Sequence, residues 1–169
     1  MKKLFSTQIN TPIGKMIAIS DESALYLLDF TDTTSSKKKV DQILTQNRGV
    51  ITIGTAAPLI SIKEEIAAYF AHELTSFTTP ITIVGSEFQT LVWGALATIP
   101  YGEVMSYIEL AKAINKPLAH RAAANANGAN RFTILVPCHR VISNNGSIGG
   151  YSGGIKRKEY LLDFESKNS

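Results

Sequence analysis

The stretch SYIELAKAINKPLAHRAAANANG, residues 106–128, decides how the second half of this 169-residue chain is read. Ser106-Tyr107-Ile108-Glu109 is a capping box, in which the serine hydroxyl takes the amide three residues on and the glutamate reaches back to the serine amide. It opens a helix running to Ile114. Asn115-Lys116-Pro117 then turns the chain tightly into a second helix over about residues 118–128, ended by Gly128. Two short helices joined by a tight turn form a helix-turn-helix pattern. The second helix is made of small side chains, Ala122-Ala123-Ala124-Asn125-Ala126-Asn127-Gly128-Ala129. That suits a core-packed or solvent-facing helix, and equally a surface that lets another backbone come close. In the second case Arg121, at its start, makes DNA the natural partner.

Working outward, Ser86-Glu87-Phe88-Gln89 is another capping box. Phe88, Leu91, Val92, Ala95, Leu96 and Ile99 follow at helical spacing, and Ile99-Pro100-Tyr101-Gly102 ends that helix. Downstream the pattern predicts a strand over Ile134 to Val136, then Cys138, then a second strand through Val141-Ile142. Asn145-Gly146 reads as a hairpin turn. Gly149-Gly150-Tyr151-Ser152-Gly153-Gly154 either holds something close to the backbone or is a flexible connector. A last helix spans Ile155 to Glu165.

The first half reads differently. Leu4 to Ile9, Met16 to Ile19 and Leu25 to Phe30 form a meander of strands, with turns at Thr11-Pro12-Ile13-Gly14 and Asp21-Glu22-Ser23. Thr31 to Lys39 reads as a polar loop and Val40 to Gln46 as a short helix. Ser61-Ile62-Lys63-Glu64 reads as a capping box opening a helix with Ile62, Ile66, Tyr69, Phe70 and Leu74 on one face. Thr78-Thr79-Pro80 breaks the chain. The expected organisation is an α/β domain over residues 1–80 followed by a mainly α domain over residues 81–169, with the junction inside 76–85.

Composition narrows the function classes. Apolar residues make up 44% and charged ones 18%, enough for one good core or two small ones and unlike a disordered chain. One cysteine excludes a disulfide framework and fits a reducing cytoplasm. Met1-Lys2-Lys3-Leu4-Phe5 imitates the start of a signal peptide, but Ser6-Thr7-Gln8 stands where an apolar core should follow. No stretch is long enough to cross a bilayer, so the expectation is a soluble cytoplasmic protein with no membrane partner. Residues 1–83 carry 8 basic and 8 acidic side chains, and residues 84–169 carry 9 and 6, so the whole net charge of +3 lies in the second half. That suits weak steering toward a polyanion.

The single thiol stands in Val136-Pro137-Cys138-His139-Arg140-Val141-Ile142. Alone, a free cysteine is most often a buried structural residue. A neighbouring imidazole points instead to a nucleophile, because the thiolate is the reactive form. Adjacent strand residues face opposite ways, so in a regular strand Cys138 and His139 need a water or a kink between them. That disfavours a cysteine hydrolase, whose base comes from a remote segment. Glu165, at i+4 from Leu161 and i+3 from Leu162, is the candidate partner for His139, the alternative being a frayed, solvated terminus. A zinc site from Cys138, His72, His120 and His139 lacks any ligand spacing. A regulator without chemistry is the other competing class, but no heptad or exposed apolar helix offers a dimer seam.

Phe88-Gln89 with Val92-Trp93, then Ile99-Pro100-Tyr101-Gly102-Glu103-Val104, Ser106-Tyr107, Arg121-Ala122, Asn130, Pro137-Cys138-His139-Arg140-Val141, Tyr151-Ser152-Gly153-Gly154 and Leu161-Leu162 with Glu165 closely resemble the O6-alkylguanine-DNA alkyltransferases. The likeness covers roughly residues 80–165, and more loosely Thr11-Pro12-Ile13-Gly14 and the Tyr69-Phe70 helix. It implies a ribonuclease H-like α/β domain followed by a winged helix-turn-helix-like domain. It also implies a monomer, without cofactor or metal, acting on double-stranded DNA that carries O6-alkylguanine, and possible action on O4-alkylthymine. By the same resemblance Cys138 accepts the alkyl group, His139 acts as its base through a water, and Glu165 orients His139. Tyr107 assists extrusion of the nucleotide and protonates the leaving guanine, and Arg121 fills the base stack from the minor groove. Asn130 braces the turn before Cys138. Ser106, Tyr151, Ser152 and Gly153 belong to the DNA and substrate surface, Arg140 is structural and Trp93 is core. Two segments depart from the family pattern. Asn130-Arg131-Phe132-Thr133 replaces Asn-Pro-x-Pro, and Ala124 replaces a glycine.

Overall fold

The computed structural model describes residues 1–169. Contacts divide the chain into two compact units, Met1–Ile83 and Val84–Ser169. The first is an α/β unit. Strands β1 (Lys2–Thr11), β2 (Gly14–Ser20) and β3 (Leu25–Phe30) form the expected antiparallel meander, and β4 (Gly49–Ile51) adds to the far side of β1 in parallel, giving the order β3-β2-β1-β4. Helix α1 (Thr34–Asn47) brings Ile43, Val40 and Leu44 onto the face that carries Leu4, Ile19 and Leu27. Helix α2 (Ala57–Phe70) lies over the face of Thr7 and Ile9. Every residue of β3 is buried, as befits a strand covered on both sides.

Three expectations fail in this unit, at Thr31 to Lys39, at Ser61 and at Leu74, which lies beyond the end of α2 at Phe70 and not on its face, and β4 is a strand that was not foreseen. Thr31 to Lys39 is not all loop, because Thr33 caps α1 by accepting the Ser36 amide at 3.1 Å. The polar run hides the helix, since the aliphatic stem of Lys39 is buried and its ammonium meets Asp29 at 3.2 Å. Ser61 does not open α2. Pro58 stands in the first turn four residues after β4 closes into a bend, and Ser61 lies inside the helix with its hydroxyl 2.6 Å from that of Thr79. The three-residue β4 carries no pattern long enough to announce itself.

The second unit is mainly helical. Helices α3 (Glu87–Leu96) and α4 (Tyr107–Ala113) start at the expected capping boxes, with both reciprocal bonds made at Ser86/Gln89 and Ser106/Glu109. Helix α5 (His120–Gly128) follows the tight turn, where Asn115 takes a positive φ of 59°. Trp93 ties α5 to α3 by donating from Nε1 to the Ala126 carbonyl at 2.9 Å. Strands β5 (Met105–Ser106) and β6 (Val141–Ile142) pair in parallel, and α6 (Ile155–Lys167) ends the chain.

The strand expected at Ile134 to Val136 is absent, and Cys138–Arg140 is a single 3-10 turn. The β-branched run looks extended, but Asn130 has already taken the backbone groups that a strand would offer. Its Nδ2 donates to Val136 O at 2.8 Å and Phe132 O at 3.3 Å, and its Oδ1 accepts from Phe132 N at 2.9 Å. Pro137 then sits at φ −80°, ψ 62°, and the Cys138 amide bonds back to Val136 O at 2.8 Å, an inverse γ-turn. Asn145-Gly146 does form a tight turn, with Gly146 at φ 84° and Ser143 N bonded to Ser147 O at 3.0 Å, but no return strand follows.

The exposed cap at Ser86 provides a clean test of local helix energetics. Ser86→Ala removes the acceptor for Gln89 N without touching the core, so urea unfolding should show a loss of about 1 kcal/mol.

Candidate functional site

The site lies entirely in the second unit and is organised by the 3-10 turn. Successive residues of such a turn point about 120° apart. Cys138 therefore faces one way and His139 another, and the two do not bond side by side. The expected separation is present, but a turn rather than strand alternation produces it. On its side, Cys138 lines a pocket with Tyr107, Ala124, Asn127, Gly128, Gly150, Tyr151 and Ser152. On the other, His139 is wholly buried with Nε2 2.6 Å from Oε1 of Glu165.

Glu165 sits on the buried stripe of α6, as its spacing from Leu161 predicts. Arg140 grips it with a two-pronged fork, Nε to Oε2 at 2.8 Å and Nη2 to Oε1 at 3.0 Å, and spends its third arm on Ile99 O at 2.7 Å. Burial alone would raise the Glu165 pKa, but the hydrogen bonds from His139 and Arg140 outweigh it and bring it to about 2. Burial pushes the His139 pKa down, with Glu165 opposing, so the ring is neutral. A neutral imidazole whose Nε2–H points at a carboxylate leaves its Nδ1 lone pair as the base. That Nδ1 is buried and bonds to no protein group.

Two further polar groups attend the pocket. Lys158, on the stripe of α6 that also holds Leu161, is fully buried and donates from Nζ to Val141 O at 2.6 Å and Gly150 O at 3.0 Å. It thereby holds the glycine loop against β6. Burial lowers its pKa to about 8, while the charge of Cys138 works to keep it protonated. The Tyr107 pKa is raised first by burial and then by the Cys138 charge, with the Asn127 amide opposing both.

Of the residues expected at the site, Cys138, Tyr107, Tyr151 and Ser152 meet at the pocket, His139 and Glu165 back it, and Asn130 holds the loop leading to it. Gly153 is buried beside it, its carbonyl taking Arg157 Nη1 at 3.1 Å. Ser106 spends its hydroxyl on the α4 cap at 3.1 Å from Glu109 N. Arg121, Ala122 and Asn125 form the exposed side of α5, whereas Ala123, Ala126 and Asn127 are buried, so the small residues serve both uses at once. Asn127 and Lys158 were absent from the expectations. A lysine at i−3 from Leu161 on an apolar stripe was the available signal for the second. No group of three or more His, Cys, Asp or Glu residues is placed to hold a metal ion, and no helix is long and apolar enough to cross a membrane.

Comparison with known proteins agrees along the whole chain. Residues 4–83 match the ribonuclease-like domain of 6-O-methylguanine DNA methyltransferase, and residues 87–167 match its DNA binding domain. A methylated-DNA–protein-cysteine methyltransferase of Mycolicibacterium paratuberculosis is 53% identical over 161 residues, covering 95% of this chain and 92% of that one. Its counterpart in Salmonella typhimurium is 38% identical over 169 aligned positions, covering 98% and 97%. The crystal structure of Mycobacterium tuberculosis O6-methylguanine methyltransferase superposes with a TM-score of 0.83 at 37% identity, covering 98% of this chain and 94% of that one. The same mycobacterial protein in complex with DNA gives a TM-score of 0.83 at 38% identity, covering 99% and 94%.

The buried carboxylate makes acid stability a direct readout of the site. A folded pKa of about 2 against an ordinary 4.5 means that Glu165 stabilises the fold above pH 4.5 and loses that effect as pH falls toward 2. His139, held below its ordinary 6.5, adds a loss in the same direction below that pH. Glu165→Gln should flatten the fall in urea stability between pH 4.5 and 2. At pH 7 it should cost roughly 3–5 kcal/mol, since Arg140 is left buried without its counter-charge.

Proposed function

This chain belongs to the 6-O-methylguanine DNA methyltransferase family, and on that premise we propose that it repairs DNA by moving the alkyl group of O6-alkylguanine to its own Cys138. The observation that carries the reading is the buried His139, locked by Glu165 with Nδ1 as its free basic nitrogen, in the same single turn as the chain's only thiol. DNA is the partner. A base buried in a duplex is out of reach, so the nucleotide must leave the stack, at a cost of a few kcal/mol. Arg121, exposed at the start of α5, enters the gap, and the small exposed side chains behind it let the backbone of the strand come close.

In the pocket, a water passes the Cys138 proton to Nδ1 of His139, and Glu165 stabilises the imidazolium that forms. Sγ attacks the alkyl carbon in line. The S–C bond forms as the C–O6 bond breaks, and the electron pair goes to the purine, where the Tyr107 hydroxyl supplies a proton. The Tyr151 side chain and the Ser152 amide flank O6. The Lys158 ammonium favours the thiolate electrostatically. The alkyl group comes with the substrate, so the reaction needs no cofactor. Nucleophile, base and proton donor all belong to one chain, which makes the working unit a monomer, in a cytoplasm that keeps the thiol reduced.

Cys138→Ser should abolish transfer and keep duplex binding within a few-fold, because a hydroxyl is a far weaker nucleophile at neutral pH and the binding surface lies elsewhere. In the parent, repaired DNA should plateau at one equivalent of protein, with a single methyl on the Cys138 peptide by mass spectrometry. No second cysteine exists to receive the group. Repeated turnover without added thiol would overturn the mechanism.

Arg121→Ala should slow repair of duplex DNA much more than reaction with free O6-alkylguanine base, which needs no extrusion. Equal losses on the two substrates would remove Arg121 from the flipping step.

A further inference from the structure

Strand β1 of the first unit is covered unequally on its two sides. Strand β2 pairs with it from Phe5 to Thr11, whereas β4 pairs on the other side only from Lys2 to Leu4. The last bond there is Thr52 N donating to Leu4 O at 2.7 Å. The chain then turns away into α2, and no strand lies against Ser6-Thr7-Gln8-Ile9-Asn10 on that side. Half of the backbone N–H and C=O groups of such a stretch point outward without a ladder partner. Natural edges are commonly closed by a lysine, a proline or a bulge. This stretch carries none of them, and its pairing with β2 is regular.

Two cavities, of about 270 Å³ and 230 Å³, lie between the open edge and α2. The first is bordered by Thr7 with Leu59 and Ile60, the second by Ile9 with Ile66 and Phe70. Thr7 and Ile9 stand two residues apart on β1 and share a face, so the cavities recur at the repeat of a strand. A chain added to β1 would turn alternate side chains into them, which is how strand addition gains its specificity. Lys63 borders both cavities, is exposed and makes no ion pair. Glu64 reaches the first cavity, and no acidic residue borders the second. Residues 1–20 and 42–63, which surround the groove, contain Lys2, Lys3, Lys15, Arg48 and Lys63 and no carboxylate.

We propose that this groove takes an extended segment of a partner protein as an added strand, with an aliphatic side chain in the first cavity and a glutamate in the second. The glutamate stem packs on Ile9, Ile66 and Phe70, and its carboxylate meets Lys63. Aliphatic walls bearing a single cation disfavour nucleic acid here. A second copy of this chain is disfavoured as well, because a two-fold pairing of β1 with itself about Gln8 would bring the two Lys63 ammonium groups together.

The probe is the fluorescein-labelled peptide Thr-Val-Thr-Glu-Thr-Val-Thr, which offers valine and glutamate at alternate positions in either strand direction. Its binding to the full chain is read by fluorescence anisotropy, beside the same peptide with lysine in place of glutamate. The glutamate peptide should bind saturably, and about ten-fold or more tighter than the lysine peptide. Lys63→Glu, an exposed substitution remote from the thiol in sequence and fold unit, should invert that preference and leave methyl transfer unchanged. At saturation, alternate amides between Ser6 and Asn10 should exchange hydrogen at least about ten-fold more slowly. Absence of saturable binding, equal affinity for the two peptides, an unaltered preference in Lys63→Glu, or unchanged exchange along β1 would each overturn the proposal. So would displacement of the peptide by an unmodified DNA duplex, which would mark a nucleic-acid surface. A dimer of the protein alone in sedimentation equilibrium, dissociated by the peptide, would overturn it in favour of a contact between copies.

Discussion

The buried carboxylate of Glu165 is the interaction on which the rest of the second unit depends. It accepts from three donors at once, one on His139 and two on Arg140, at 2.6–3.0 Å. Removing a carboxylate from water is expensive, and only full pairing in good geometry offsets that cost. The Arg140 fork supplies it, and the third arm of the guanidinium on Ile99 O anchors the arrangement to the end of α3. Glu165 thus draws α6, the 3-10 turn and the segment before Gly102 to one point. The chemistry follows from that packing. A histidine held by such a carboxylate has only one nitrogen left to act as a base, and the backbone turn that carries it sends the preceding side chain into the pocket.

Asparagine carboxamides hold the remainder of the site. Where family members have prolines to stiffen the loop before the cysteine, this chain has Arg131 and Thr133. The loop is nonetheless tightly determined, with Phe132, Thr133 and Ile134 all buried and Asn130 bonded to it at three backbone atoms. The grip is strong enough to keep Ile134 at φ 73°, a left-handed conformation that a β-branched residue reaches only under strain. A proline limits the conformations of the free chain, whereas a carboxamide clamp acts only once the loop is formed. The two devices give the same folded path by different thermodynamic routes.

How much of this was legible in the sequence depended on how local each cause is. Capping boxes at Ser86 and Ser106 are complete within four residues, and both helices begin where they predict. Glu165 was legible because helical periodicity from Leu161 sets its face. The Cys138 segment misled, since its β-branched residues favour extended backbone while the deciding bonds come from Asn130, several residues upstream. Helix α1 was half seen, because a buried lysine stem looks like a charged surface until its aspartate, ten residues away in β3, is in view. At Ser61 the box pattern was present but Pro58 had already started the helix. Asn127 carried no signal at all. Its bond to the Cys138 carbonyl depends on how α5 packs against the 3-10 turn eleven residues on, and that is a fact of packing.

Two electrostatic regimes coexist in the second unit and act at different ranges. With Arg140, Lys158 and Glu165 buried, the 9 basic and 6 acidic side chains of residues 84–169 leave a surplus of two positive charges outside the core, Arg121 exposed among them, and these work through a screening length of about 8 Å at physiological salt. Such charges gather a polyanion and give way to added salt. The groups around Cys138 lie inside. Lys158, His139, Arg140 and Glu165 are buried, and their interactions are made through hydrogen bonds at 2.6–3.0 Å that mobile ions do not enter. The state of the thiol is therefore set by the fold, and encounter with DNA is set by the surface. A protein that reacts once needs that separation, because its nucleophile must stay ready through many unproductive encounters with undamaged duplex.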